Sequence, residues 1–284
     1  MPTFTSISDI LNLATNGTNR QQLVCGTVLV QKNNGASGSV SPPSLIDTFI
    51  WDGDPPNGTV PGTVAAPDRS TVGATQYRNA TTGFTNYLTS FAVVADQSYC
   101  SEAILYDRLL HISGLSGTVT SAQTVGGTLT RNTGGEGNEI WLVMQSDVGS
   151  TPQTVTASYT NQAGTASRTT QAVAYRPVGT VGRADSGVMV LPLQDGDTGV
   201  RAVASVTLSG STGTAGSFDC VVARPIVFSN AGGSKWNVVP HSTLEGVDAP
   251  IALEDDMCLV IAYQTRGTLE RVISYYLHIL EKED

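Results

Sequence analysis

Lysine, histidine and charge in general are scarce in this chain of 284 residues. Only Lys32, Lys235 and Lys282 represent lysine, three histidines are present, and charged residues make up 14% of the whole. That is well below the roughly 25% usual for globular proteins. With a formal net charge of −9 and no basic stripe to neutralise phosphates, the composition argues against nucleic-acid binding. No run approaches the roughly 18 apolar residues of a membrane-spanning helix, so no membrane partner is expected. The amino terminus, MPTFTSISDILNLATNG, has neither a basic n-region nor a long apolar h-region, and the expectation is folding in a cytoplasm.

Cysteine is sparse too. Cys25, Cys100, Cys220 and Cys258 stand singly, with no Cys-x-x-Cys and no histidine nearby in sequence, which disfavours a metal site. Because Cys25, Cys220 and Cys258 sit inside apolar runs, the cysteines read as buried free thiols rather than disulfides. Walker A, Gly-x-Gly-x-x-Gly, His-Glu-x-x-His and Gly-x-Ser-x-Gly motifs are all missing. No catalytic, cofactor-binding or metal-ligating residue is therefore assigned, and the expectation is a non-enzymatic protein without cofactors.

Thr, Ser, Asn, Gln and Gly supply the polarity instead. Uncharged polar groups cost less to desolvate than ions, so such a surface suits coverage by neighbours. Short apolar runs rich in Val, Thr and aromatics alternate with Gly-containing turns: Glu139 to Gln145, Thr154 to Tyr159, Gly187 to Leu193, Val200 to Leu208 and Phe218 to Phe228. These read as strands, as do Leu23 to Gln31, Leu45 to Trp51, Asn86 to Val94, Met257 to Tyr263 and Arg271 to Leu280. In the run from Val200 to Leu208, Val200, Ala202, Ala204, Val206 and Leu208 alternate onto one face. Trp141 reads as core, and the tail Glu281 to Asp284 as solvated.

Two segments read as helix. Ser8 to Ala14 has a capping residue and the Asn16-Gly17 stop, and Ser101 to Gly114 repeats Ile104, Leu105, Leu109 and Ile112 at helical spacing, with His111 on its polar side. The Pro-rich stretch Asn33 to Ala74 reads as a surface loop and, with the first helix, as an assembly arm. The predicted fold is mainly β: an antiparallel, jelly-roll-like β-sandwich over residues 116–284, preceded by an irregular region, 1–115, carrying one or two short helices.

Several phrases invite a functional reading. Asp52-Gly53-Asp54 and Asp195-Gly196-Asp197 place carboxylates on turns where calcium could bind, although Asp-Gly is also a common hairpin turn. Glu254-Asp255-Asp256 reads as a solvated turn. For a glycoside hydrolase, Asp195, Asp197, Glu254 and Asp255 would be the carboxylates to examine. Trp236 has the loop setting of a sugar contact, unlike Trp141 inside a strand; Trp51 is the third tryptophan. Asn16, Asn57 and Asn79 match the glycosylation acceptor pattern, and His241 and His278 read as structural or surface residues.

The phrases TVTASYTNQAGTASRTTQAV (Thr154 to Val173), PLQDGDTGVRAVASVTLSGSTGTAGSFDCVVARPI (Pro192 to Ile226) and ILYDRLLHISGLSGTV (Ile104 to Val119) resemble tailed-bacteriophage virion structural proteins. That resemblance implies a capsid decoration or cement protein on the virion surface, a homotrimer whose partners are the major capsid protein and copies of itself. A tail, fibre or glycan-binding module is the alternative it leaves open.

Overall fold

The structure is a computed structural model, and it describes residues 20–30, 44–95, 100–146, 148–175, 187–230, 241–242, 250–265 and 271–284. Seventeen strands run through these residues: β1 (Arg20–Val30), β2 (Ser44–Asp47), β3 (Asp52–Asp54), β4 (Phe84–Ala95), β5 (Cys100–Leu115) and β6 (Gln123–Thr124) in the first part of the chain. There follow β7 (Glu139–Ser146), β8 (Gln153–Asn161), β9 (Arg168–Thr169), β10 (Val173–Tyr175), β11 (Gly187–Leu191) and β12 (Val200–Leu208). The last are β13 (Ser217–Asn230), β14 (His241–Ser242), β15 (Ile251–Leu253), β16 (Leu259–Thr265) and β17 (Arg271–Glu283). No helix occurs among the described residues. The predicted helix at Ser8 to Ala14 lies outside them, as does Trp236.

Six strands close into a barrel in the order β11-β2-β16-β5-β13-β7. One open sheet runs β14-β4-β17-β1-β3, with β15 also on β4, and the other runs β10-β8-β12-β6, with β9 also on β8. Every pairing among the named strands is antiparallel. Strands from both sides of residue 115 build the barrel.

Three apolar clusters hold these parts together. Leu88, Phe91, Ile273, Leu277 and Ile279 of the first sheet pack on Ala103, Leu105, Val227 and Ile261 of the barrel. Val155, Tyr159, Val203 and Val206 of the second sheet pack on Leu109, Leu142, Phe218 and Val222. The barrel lumen holds Phe49, Tyr106, Trp141, Val221 and Val260. Sixteen residues of extended chain span roughly 50 Å. That length lets β5 contribute Leu105 to one outer cluster, Tyr106 to the lumen and Leu109 to the other outer cluster.

Its position explains why Ser101 to Gly114 is strand and not the predicted helix. Residues 105 to 111 are buried without a break, because β5 is covered on both faces and flanked by β13 and β16. A strand buried on both faces shows no period of two, and its apolar residues matched the helical spacing by coincidence. β12 departs from expectation in a subtler way. Register shifts between Val200 and Ala202 and between Val203 and Ser205 change which residues face inward. The buried set is Val200, Val203, Val206 and Leu208, while Ala204 is exposed.

The chain's end differs too. β17 is an interior strand between β4 and β1. Glu281 is buried, not solvated, and accepts a hydrogen bond from the Thr81 amide. Cys25 is exposed where a buried thiol was expected, because β1 alternates and turns Val24 inward and Cys25 outward. Cys220 and Cys258 are buried free thiols.

Candidate functional site in the barrel interior

A chain of polar and charged side chains crosses the barrel lumen among its aromatics. β2 supplies Asp47, β5 supplies Tyr106, Arg108 and His111, β7 supplies Gln145, and β13 supplies Asp219. Arg108 and His111 are three residues apart and would face opposite ways in an uninterrupted strand. Across the shift where Ala223 pairs Arg108 and Val222 pairs Leu110, β5 carries one extra residue, and both side chains turn into the lumen.

Arg108 is completely buried. Its Nη1 donates to Asp47 Oδ2 at 2.7 Å and to the Tyr106 hydroxyl at 2.7 Å. The Tyr106 hydroxyl in turn donates to Asp47 Oδ1 at 2.7 Å, and the Phe49 amide donates to the same oxygen at 3.1 Å. The Phe49 ring lies 4.4 Å from the guanidinium carbon and meets His111 edge-on at 5.7 Å. Burial opposes the guanidinium's charge, but Asp47 and Tyr106 outweigh it and Arg108 stays protonated. Burial also holds the Tyr106 phenol well above its ordinary range.

His111 bridges this pair to a second carboxylate. Arg108 Nε donates to His111 Nδ1 at 3.3 Å, and His111 Nε2 lies 2.8 Å from Asp219 Oδ2. Gln145 Nε2 donates to the same Asp219 oxygen at 2.7 Å. Asp219 Oδ1 is buried and has no hydrogen-bond partner. Burial pushes the Asp219 carboxyl up to about 7, with Arg108 opposing, and burial followed by the Arg108 charge drives the His111 imidazole far below its usual range.

The Pro-rich stretch covers this site, at least from Pro55 onward, and there it does not stand off as the expected arm. The Gly58 amide donates to the Phe49 carbonyl at 2.7 Å. A Cβ at Gly58 would lie 2.5 Å from the Phe49 ring, so only glycine allows this approach. Ala65 pairs with His111 through two backbone hydrogen bonds of 2.8 and 2.9 Å. Pro67 accepts from Arg131 Nη2 at 2.8 Å, and Arg131 also grips the buried Asp107 through Nε and Nη2 at 3.1 and 2.8 Å.

The carboxylates singled out in the sequence serve as staples. Asp197 accepts from Tyr159, from Asn161 Nδ2 at 2.7 Å and from Arg168 Nε and Nη2 at 2.8 and 3.1 Å. The Arg168 hydrogen bonds pull its carboxyl down to about 2, and its oxygens are occupied by protein donors. Asp195 is exposed and accepts from Gln171 at 2.9 Å; both aspartates, with Glu139, line a cleft of about 430 Å³. Asp52 and Asp54 lie in β3 against β1. Glu254, Asp255 and Asp256 diverge to separate partners: Arg224 at 2.7 Å, the Ala80 amide at 2.9 Å, and Arg69 with Asn79 at 3.0 and 2.8 Å. Among the described residues, no three His, Cys, Asp or Glu converge as metal ligands.

Trp141 is core as expected, its indole donating to Glu139 at 2.7 Å, and Trp51 is half-buried. His278 shares a hydrogen bond with Thr89 at 3.0 Å on the outward side of its sheet. His111, expected on a polar face, is instead 1% exposed. Sequence reasoning passed over Asp47, Arg108 and Asp219. The readable signal was a charge inside an apolar run, in LIDTFIW, ILYDRLL and FDCVVA, where burial requires a partner.

No protein-family model matches the chain, and no curated protein matches it either. Among the solved structures similar to it are proteins of virus particles. The VP2 subviral particle of infectious bursal disease virus is 12% identical, covering 99% of this chain and 86% of that one, with a TM-score of 0.22. The Gx strain of the same virus gives 12% identity, 93% and 80% coverage and a TM-score of 0.20, and its T13 particle 10%, 94%, 79% and 0.19. Likenesses of this size carry no argument about fold or function.

Proposed function

We propose that this chain is a non-enzymatic structural protein of a virus particle, held in place by repeated contacts with neighbouring chains. The observation that carries the reading is the outer face of β4, β17 and β1. Leu23 is 69% exposed and Tyr276 42% exposed there, beside Cys25, Thr27, Ala92 and Ser274. None of these side chains carries a charge, in a molecule whose formal net charge is −9; His278 lies opposite Leu23, and the exposed Asp54 lies opposite Thr27 at the edge of the patch. Neutral sheet surface costs little to desolvate, so such a face accepts a neighbour at low cost. A lumen closed by its own ion pairs leaves the outer surfaces as the means of interaction.

At finer grain, the sequence resemblance supports a tailed-bacteriophage decoration or cement protein, trimeric on a shell of major capsid protein. Quantitative mass spectrometry of purified particles tests this. A copy number near that of the main shell chain is expected. A handful of copies would move the role to the tail, and absence would overturn a virion role. Replacing Leu23 and Tyr276 together by glutamate should leave the circular dichroism unchanged and abolish incorporation. Normal incorporation of that variant would exclude this face as the contact.

A further inference from the structure

The hydrogen bonds around His111 define where its proton lies. Arginine nitrogens only donate, so Nδ1, facing Arg108 Nε at 3.3 Å, must be an acceptor. Nε2 has two neighbours, Asp219 Oδ2 at 2.8 Å and the donor Arg108 Nη2 at 3.3 Å, and the ring's single proton takes the shorter contact, to Asp219. A second ring proton would set N–H against N–H beside a guanidinium whose Nη2 also lies 3.3 Å from Nε2. The ring is thus kept neutral by geometry.

Charge then decides the state of Asp219. With both carboxylates ionised, Asp47 and Asp219 face only Arg108, leaving one uncompensated negative charge in the lumen. The remaining neighbours offer no compensation: Tyr106 is a neutral phenol, Gln145 an amide, and burial pushes the Cys220 and Cys258 thiols up to about 12. Asp107 is matched by Arg131. One proton on Asp219 restores neutrality, and Oδ1, buried without a hydrogen bond of ordinary geometry, is the oxygen that takes it, against the pull of the nearby Gly114 amide toward the ionised form.

We propose that folding moves one proton from His111 to Asp219, making the two a proton-compensated pair whose contribution to stability does not change across mildly acidic pH. In the unfolded chain the imidazolium holds the proton and the carboxylate is ionised. On folding, the ring's Nδ1–H bond breaks and its proton goes to solvent, while Asp219 Oδ1 takes one from solvent. The number of bound protons is unchanged.

The two halves have opposite signs. Asp219, about 7 in the fold against an ordinary 3.8, stabilises fully below 3.8 and loses that effect as pH rises through 7. His111, far below its ordinary 6.5, stabilises fully above 6.5 and loses that effect as pH falls. Between 3.8 and 6.5 they cancel.

Single substitutions separate them. Unfolding constants of Asp219→Asn and His111→Gln, each divided by the wild-type value, are measured by urea denaturation across this range. Each unmatched proton changes the ratio about tenfold per pH unit. The Asp219→Asn ratio should rise as pH falls, and the His111→Gln ratio should rise as pH increases. Flat ratios, or slopes of one sign, overturn the pair. If either variant does not fold, the carbon-13 carboxyl shift of Asp219 in the wild type at pH midway in this range decides. A protonated carboxyl is expected, and an ionised one refutes the proposal.

Discussion

Asp47 is the residue whose loss should cost the barrel most for the fewest atoms removed. Its carboxylate is the counter-charge of a guanidinium that is 0% exposed, and it accepts from the Tyr106 hydroxyl and the Phe49 amide as well. Asp47→Ala leaves Arg108 charged, because arginine does not deprotonate in proteins, and the remaining lumen carboxyl, Asp219, is linked to it only through His111. Removing one partner of a buried pair typically costs about 3–5 kcal/mol. The stability of a whole domain is only about 5–15 kcal/mol, so the variant should unfold at markedly lower urea concentration. A double variant, Asp47→Leu with Arg108→Met, supplies the discriminating control. It removes both charges and fills the space with apolar atoms, and buried pairs replaced this way are often near neutral. It should therefore be at least about 2 kcal/mol more stable than Asp47→Ala, despite two substitutions. Far-ultraviolet circular dichroism and tryptophan fluorescence followed in parallel report the unfolding. A cost below about 1 kcal/mol for Asp47→Ala, or a double variant worse than the single one, would refute the assignment of Arg108 as a charge dependent on Asp47.

Two further outcomes are expected. A Cβ at Gly199 would lie 1.9 Å from the Gly135 carbonyl oxygen, a backbone atom that cannot swing aside. Gly199→Ala should therefore cost about 3 kcal/mol and lower the Tm, whereas Gly62→Ala, with open space around it, should leave the Tm unchanged. In a Cys100→Ser background, a thiol reagent should modify Cys25 in the native protein. Cys220 and Cys258, whose thiols burial pushes up to about 12, should react only in denaturant; rapid native labelling of either would contradict their place in the core.

The strands legible in the sequence are those whose environment is simplest. β8 has one buried and one accessible face, and its alternation places Val155, Ala157 and Tyr159 inward without exception. β7, β16 and β17 were legible because long apolar runs bounded by turn residues have few other uses. β5 was not, since burial on both faces erases the period that distinguishes strand from helix.

The amino-acid sequence by itself determined the antiparallel β character, most strand positions and the place of Trp141, because side-chain alternation and turn chemistry act over a few residues. Only the tertiary structure decided that Asp47, Arg108, His111 and Asp219, spread over more than 170 positions, meet in one lumen. It also decided that Asp197 is held by Arg168, Tyr159 and Asn161. The physical reason is that barrel closure and single-residue register shifts set which side chains face each other, and both depend on partners distant in the chain.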